Sequence, residues 1–439
     1  MIKNYLACLF GFFVSSFVLA QEIDTRKLDL YFKSLEDNNK FMGSVAISQN
    51  GKIVYTKTIG LAAVENNLKA NENSKYRIGS ISKTFTAVLI LKAVENKKLA
   101  LDQTIEKFFP TLANANRITI KQLLGHRSGV HDFTDDEDYE TWNTKARTEK
   151  EMVAVITKGG SDFEPDTEAA YSNSNYVLLT YILEKTFKKP YAELLTSDIT
   201  KPLGLTNTYL GGKINTAKNE CRSYRFEAGW QAEPETDISI PLGAGGIVST
   251  PTDLVKFSNA LFGGKLLKAE NLELMKTVKD NYGLGLFKIP FYENISYGHR
   301  GGIGKFTAVF SHSSEGNIAI ALISNGSNYN NNEIPLAILS AVYNKPFELP
   351  VFKTYAVRSE DLDQYLGAYA SSQIPVKITI SKDNKTLIAQ PGEQSPYPLE
   401  ATEKDKFKYY KTGIALEFNP AENTVILKQG GKEFVFTKA

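Results

Sequence analysis

The stretch Arg77-Ile78-Gly79-Ser80-Ile81-Ser82-Lys83-Thr84-Phe85 decides how the rest of the chain reads. A helix is expected to start at about Ser80, and Phe85, Val88, Leu89, Leu91 and Val94 recur through it at helical spacing. The segment is apolar nearly all round until Glu95-Asn96-Lys97-Lys98, which predicts a helix inside the protein rather than one lying on its surface. Ser80 and Lys83 stand three apart at its head, so their side chains share one face. A hydroxyl becomes an effective nucleophile when a neighbouring base takes its proton, and a desolvated lysine gives up its own proton more easily. Ser-x-x-Lys alone is a common accident of composition. Its seat at the head of a buried helix makes it a candidate site.

Working outward, the flanks carry strand signals. Gly43 to Ser48 is an apolar strand, Gln49-Asn50-Gly51-Lys52 a turn, and Ile53-Val54-Tyr55 the return, which together predict a hairpin within residues 41–61. Thr119 to Leu124 and Tyr176 to Phe187 read as further helices, the second ending at Lys188-Lys189-Pro190. After Gly298 the period changes to two. Phe306 to Phe310 and Ile318 to Ile323 predict adjacent antiparallel strands joined through Ser313-Ser314-Glu315-Gly316. The hairpin and these late strands are expected to share one antiparallel sheet with the helical middle packed on it, a mixed α/β plan. Asn344 to Pro350, with two prolines, reads as a linker. Beyond it Val376 to Ile380, Lys406 to Tyr409 and Lys432 to Phe436 carry strand patterning, so residues 346–439 are expected to form a separate small β-barrel or sandwich. No internal repeat is visible.

Three more stretches carry chemistry. Tyr171-Ser172-Asn173 precedes the 176–187 helix; a phenol can relay a proton, and an Asn amide can hold a polar partner. His299-Arg300-Gly301-Gly302 precedes a late strand; a backbone N–H there can meet an oxyanion, the glycines let a substrate approach, and His299 is expected to reach the Tyr–Ser pair. Gly243-Ala244-Gly245-Gly246 leads into Ser249-Thr250-Pro251-Thr252-Asp253, a helix opening capped by Ser249 or Thr250. It lacks the Gly-Lys-Ser/Thr of a phosphate loop and reads as the floor of the site.

Taken in order, Arg-Ile-Gly-Ser-Ile-Ser-Lys, Tyr-Ser-Asn and Gly-His-Arg-Gly-Gly resemble the three signature elements of the serine β-lactamase and penicillin-binding-protein family, over roughly residues 25 to 345. Leu123-Leu124-Gly125-His126-Arg127-Ser128-Gly129 and the glycine cluster resemble its accessory motifs. The resemblance implies an antiparallel sheet flanked by helices with a helical subdomain, and acyl-enzyme chemistry on amides, esters or β-lactams. It implies Ser80 as nucleophile, Lys83 and Tyr171 as proton carriers, the N–H groups of Ser80 and Gly302 as oxyanion hole, and Asn173, His299 and Gly301 as organising residues. The third element departs from the Lys-Thr-Gly of β-lactamases: His299 takes the first place and Arg300 that of the Thr that meets a substrate carboxylate. This suits the esterase- and D-peptidase-like branch, whose members also carry appended β domains. Two other readings stand beside it, a true β-lactamase and a non-catalytic penicillin-binding sensor.

Composition narrows the partners. With 51 Lys and Arg against 49 Asp and Glu, and no basic stripe, no nucleic-acid partner is expected. Met1-Ile2-Lys3, the apolar run Leu6 to Leu19, and Val18-Leu19-Ala20 have the layout of a signal peptide, residues 1–20. The expected location is therefore periplasmic or secreted, with an association at the cell envelope. Cys8 leaves with such a signal, and Cys221 then has no bridging partner. The four histidines, His126, His131, His299 and His312, form no metal-ligand spacing, so neither metal nor other cofactor is expected.

Overall fold

The computed structural model describes residues 23–227 and 229–439; the signal-like segment lies outside them. Six of the main sheet's eight strands form its continuous run: β1 (Phe41–Gln49), β2 (Lys52–Ile59), β3 (Phe287–Phe291), β4 (Asn294–Ile303), β5 (Phe306–Ser313) and β6 (Ile318–Ser327). Their spatial order is β3-β4-β5-β6-β1-β2, antiparallel throughout. The early hairpin therefore closes onto the last strand of the sheet, with Ile47 opposite Ile320.

Both faces of the centre are covered. On β6, Ile318, Ile320 and Leu322 pack with Leu28, Phe32 and Leu35 of α1 (Thr25–Asp37). Ala319, Ala321 and Ile323 point the other way, into the helical part. The small alanines let that part approach closely. Because β1 and β6 are buried on both sides, they read as continuous apolar runs rather than alternating ones.

The helical part holds α2 (Ser82–Glu95), α3 (Ile120–Leu124), α4 (Asn173–Phe187) and α5 (Pro251–Phe262). Stacking of Phe85 on Phe257 at 3.8 Å, and an edge-to-face contact of Phe257 with Phe310 at 6.3 Å, tie α2 through α5 to β5. Each such aromatic or aliphatic side chain buried in full is worth roughly 1.5–3 kcal/mol, so Phe85, Val88 and Leu91 anchor the head of α2 firmly. Thr250 caps α5 by accepting from the Asp253 N–H.

Two local readings shift. A 3-10 turn, Gly79–Ile81, precedes α2, so Ser80 sits on the tight turn and Lys83 on the first α-helical turn. The helix expected from Tyr176 begins at Asn173, with Ser172 in an extended conformation just before it, so Asn173 belongs to the first turn of α4.

Residues 367–438 form eight strands, β7 (Gly367–Ala370), β8 (Lys377–Asp383), β9 (Thr386–Pro391), β10 (Tyr397–Glu403), β11 (Lys406–Tyr409), β12 (Ile414–Asn419), β13 (Thr424–Gln429) and β14 (Lys432–Lys438). They close into a barrel, since Tyr369 of β7 pairs with Lys438 of β14. Of the two expected shapes, barrel or sandwich, the barrel is found. Closure removes every sheet edge that could pair with another chain. Leu387, Phe407, Leu416, Val425 and Phe436 fill it. It meets the body where the buried Lys40 ammonium lies 2.5 Å from Glu400 of β10 and 4.3 Å from the Tyr410 ring.

Candidate active site

Backbone shape sets the site. Gly79 has φ +52°, and a Cβ there would lie 2.5 Å from the Gly302 nitrogen. A Cβ on Gly301 would lie 1.9 Å from the Ile78 carbonyl oxygen. Only glycines allow β4 to press against the turn that carries Ser80. Ser80 and Gly302 thus meet on one wall of a cleft of about 400 Å³ that Asn173, Ala244 and Gly245 also line. The glycine cluster forms part of its lining, as its reading as a floor implies.

Lys83 is fully buried below the cleft. Its Nζ lies 3.1 Å from Ser80 Oγ, 2.7 Å from Asn173 Oδ1 and 2.8 Å from the Ala244 carbonyl oxygen. Burial lowers its pKa from 10.5 to about 7, against the attraction of the Asp132 carboxylate. Among the described residues no carboxylate forms an ion pair with it. At neutral pH a large share of this amine is therefore uncharged and able to accept a proton.

Tyr171 packs its ring 4.8 Å from the same Nζ. Burial raises its phenol well above the usual range, only partly offset by an interaction with the Ser80 hydroxyl. It stays protonated and can donate. The buried His126 stacks on Tyr171 with 4.5 Å between ring centres, and its Nδ1 accepts from the Ser172 N–H at 3.1 Å. Burial, then the nearby Lys83 charge, hold His126 well below its ordinary pKa, so it is a neutral platform for the tyrosine.

His299 differs from its expected contact. Its Nδ1–H donates to the Arg300 carbonyl at 2.5 Å, and no bond to Tyr171 or Ser172 forms. Burial, then the Lys83 charge, push it down to about 3. It lies within β4, with its ring 4.5 Å from that of Phe287. Strand alternation turns Arg300 to the far face of the sheet, where it lines a separate cavity with Leu336 and Leu339. It is absent from the cleft lining, whereas Lys305 is part of it.

Asp132 is the residue the sequence reading missed. Buried at the Ser128-Gly129 corner, it accepts from Asn173 Nδ2 at 2.9 Å and from both the N–H and the hydroxyl of Thr134, at 3.1 and 3.0 Å. Further out, Phe133 and Tyr139 give the cleft an apolar wall, and Glu140 and Glu233 place two carboxylates on it. Glu233 already pairs with Arg225 and Lys305, while Glu140 accepts from Asn143.

A serine hydroxyl on a cleft, a buried amine of lowered pKa beneath it, a buried phenol beside that amine and a strand pressed against the serine turn have the form of a serine hydrolase of β-lactamase type. The Beta-lactamase family model matches residues 32–344, and the chain belongs to that family. A teichoic acid D-alanine hydrolase of Staphylococcus aureus is 26% identical over 65% of this chain and 70% of the relative. The D-amino acid amidase of Ochrobactrum anthropi SV3, complexed with L-phenylalanine, superposes with a TM-score of 0.63 at 29% identity, over 72% of this chain and 98% of its own. The octameric penicillin-binding protein homologue of Pyrococcus abyssi superposes with a TM-score of 0.67 at 25% identity, over 94% of this chain and all of its own.

Proposed function

We propose that this chain is an exported hydrolase that opens amide or ester bonds of D-aminoacyl compounds through an acyl-enzyme on Ser80. The observation that carries the chemistry is the placing of Lys83 Nζ 3.1 Å from Ser80 Oγ with its other two contacts on carbonyl oxygens. Ser80 Oγ attacks the carbonyl carbon as its proton passes to Lys83. The N–H groups of Ser80 and Gly302 receive the oxyanion. Tyr171 gives its proton to the departing amine or alcohol and regains one from Lys83. Water then attacks the acyl carbon, its proton returns to Ser80 by the same groups, and the acid leaves.

Two features support the substrate class. The relatives include a D-alanine hydrolase and a D-amino acid amidase. Glu140, a cleft carboxylate bonded to the Asn143 amide rather than to a cation, offers negative charge to an α-ammonium group. A β-lactam, which presents a carboxylate, finds Arg300 on the far face of the sheet and the cleft's Lys305 already paired with Glu233. The signal layout of residues 1–20 supports export to the envelope, where D-aminoacyl groups occur.

The test is to incubate wild type and Ser80→Ala with D- and L-alanyl p-nitroanilides, p-nitrophenyl acetate and a fluorescent penicillin. Faster turnover of the D-alanyl anilide than of the L-form, with no adduct on Ser80→Ala, is the expected outcome. Turnover of the penicillin above all others would make the protein a β-lactamase. A label that forms and never releases would make it a sensor. Secreted material whose N-terminus is Met1 rather than a residue near Gln21 would remove export from the reading.

A further inference from the structure

Lys83 Nζ has three polar neighbours, and two of them, Asn173 Oδ1 and the Ala244 carbonyl, can only accept. A neutral amine has two N–H groups and one lone pair. Both N–H groups are taken by those oxygens, which leaves the lone pair facing Ser80. This holds only while Asn173 presents its oxygen to Lys83. Turned over, the amide would donate Nδ2–H into the lone pair and remove the base.

We propose that Asp132 is a positioning residue that locks the Asn173 amide with its oxygen toward Lys83 and so keeps the Lys83 lone pair for Ser80. This rests on the Ser80–Lys83 reading above. A carboxylate accepts and never donates, so the 2.9 Å contact with Asn173 admits only the NH₂ end of the amide. Thr134 holds the carboxylate in turn: its N–H and hydroxyl take Oδ1, and its oxygen receives the second Asn173 N–H at 3.2 Å. The reversed amide would set an oxygen against a buried carboxylate, a contact with no hydrogen between the two atoms. A backbone carbonyl cannot turn over in this way, so Ala244 needs no such guard.

Asp132 also bears on Lys83 through its charge. The groups facing the Lys83 amine are Ser80, Asn173 and Tyr171, with His126, Tyr176 and His299 around them. Asp132 is the acid that favours its ammonium form. Asp135, Asp136 and His131 surround Asp132 on its own loop, with Tyr139 from the next helix.

The experiment compares Asp132→Asn with wild type in rate and pH profile of Ser80 acylation by a fluorophosphonate, and in kcat and KM for the best ester. Asp132→Asn keeps the shape but can present either end to Asn173. The plateau rate should fall roughly 10- to 100-fold, the scale of a misplaced reacting group, with KM within about twofold. The acid limb should move to lower pH, since loss of the carboxylate removes a stabiliser of the ammonium. A group that merely supported the fold would lower the folded fraction and leave the limb in place; that result, or a wild-type plateau, overturns the proposal. If Asp132→Asn does not fold, Thr134→Val serves: losing the hydroxyl that clamps Asp132 should lower the plateau in the same direction, and an unchanged plateau overturns the proposal. Labelling that persists in Ser80→Ala would instead sink the underlying reading.

Discussion

Two buried lysines in this protein meet opposite fates. Lys83 lies under the cleft among carbonyl oxygens, a hydroxyl and aromatic faces. Lys40 lies at the junction between body and barrel, bonded to Glu400 and set over Tyr410. Burial lowers the proton affinity of both. At Lys40 the bonded carboxylate pulls back and the ammonium is kept. At Lys83 the acid is one amide away, and the amine is freed. The difference lies in where the nearest carboxylate sits: contact makes a strut, and one residue's remove makes a base.

The largest break in this comparison is Lys83→Met. Acylation should fall about 10²–10⁴-fold, as for loss of a general base. The melting temperature should hold or rise, because a desolvated amine is replaced by an apolar chain of similar length. A variant that keeps wild-type acylation would show that Lys83 is no base.

The comparison sharpens with pH. The Lys83 pKa of about 7 puts the acid limb of acylation there, with a fall of about tenfold per pH unit well below it. Stability follows the same group. Between about 7 and 10.5 the unfolded chain holds a proton that folded Lys83 has lost, so stability should rise with pH across that window, and Lys83→Met should flatten the rise. Acylation that keeps rising about tenfold per pH unit up to pH 9, with no levelling near 7, would contradict the lowered pKa.

Smaller effects belong to the junction. Glu400→Ala leaves the Lys40 ammonium buried without its carboxylate and should cost roughly 1–3 kcal/mol in a denaturant melt. It should leave Ser80 labelling unchanged, since no residue beyond Lys305 lines the cleft. Lys40→Met should cost less, within about 1 kcal/mol, because the half-exposed Glu400 turns to water and the remaining loss is the cation–π contacts with Phe352 and Tyr410. Equal costs for the two would mean that the pair acts as an ordinary surface bridge.

The sequence carried much of this site and missed a definite part. Ser80, Lys83, Tyr171, Asn173 and Gly302 stood out because hydroxyl, amine, phenol and glycine chemistry sits in short ordered motifs, and the structure brings all five together. Asp132 did not, since it is one acid in the run Asp132-Phe133-Thr134-Asp135-Asp136-Glu137-Asp138 and nothing in spacing marks which one turns inward. Its position three residues after Gly129 was the available signal. The Ala244 carbonyl was invisible because every residue has one. Strand β4 was read only as a lead-in, as Gly298, Gly301 and Gly302 erase its alternation. The hairpin, the late strands and the C-terminal β region were legible because their period-two patterning is strong.

The pairing of β1 with β6 sets the order in which the molecule comes into being. Ile47 waits for Ile320, with the whole helical part between them. Contacts so distant in sequence close late and slowly. The turn bearing Ser80 is pressed into shape by β4, also from the far end of the body. A chain emerging from a ribosome therefore carries Ser80 long before it has a wall to hold it. Until β4 arrives, the turn that carries Ser80 has nothing to hold its shape.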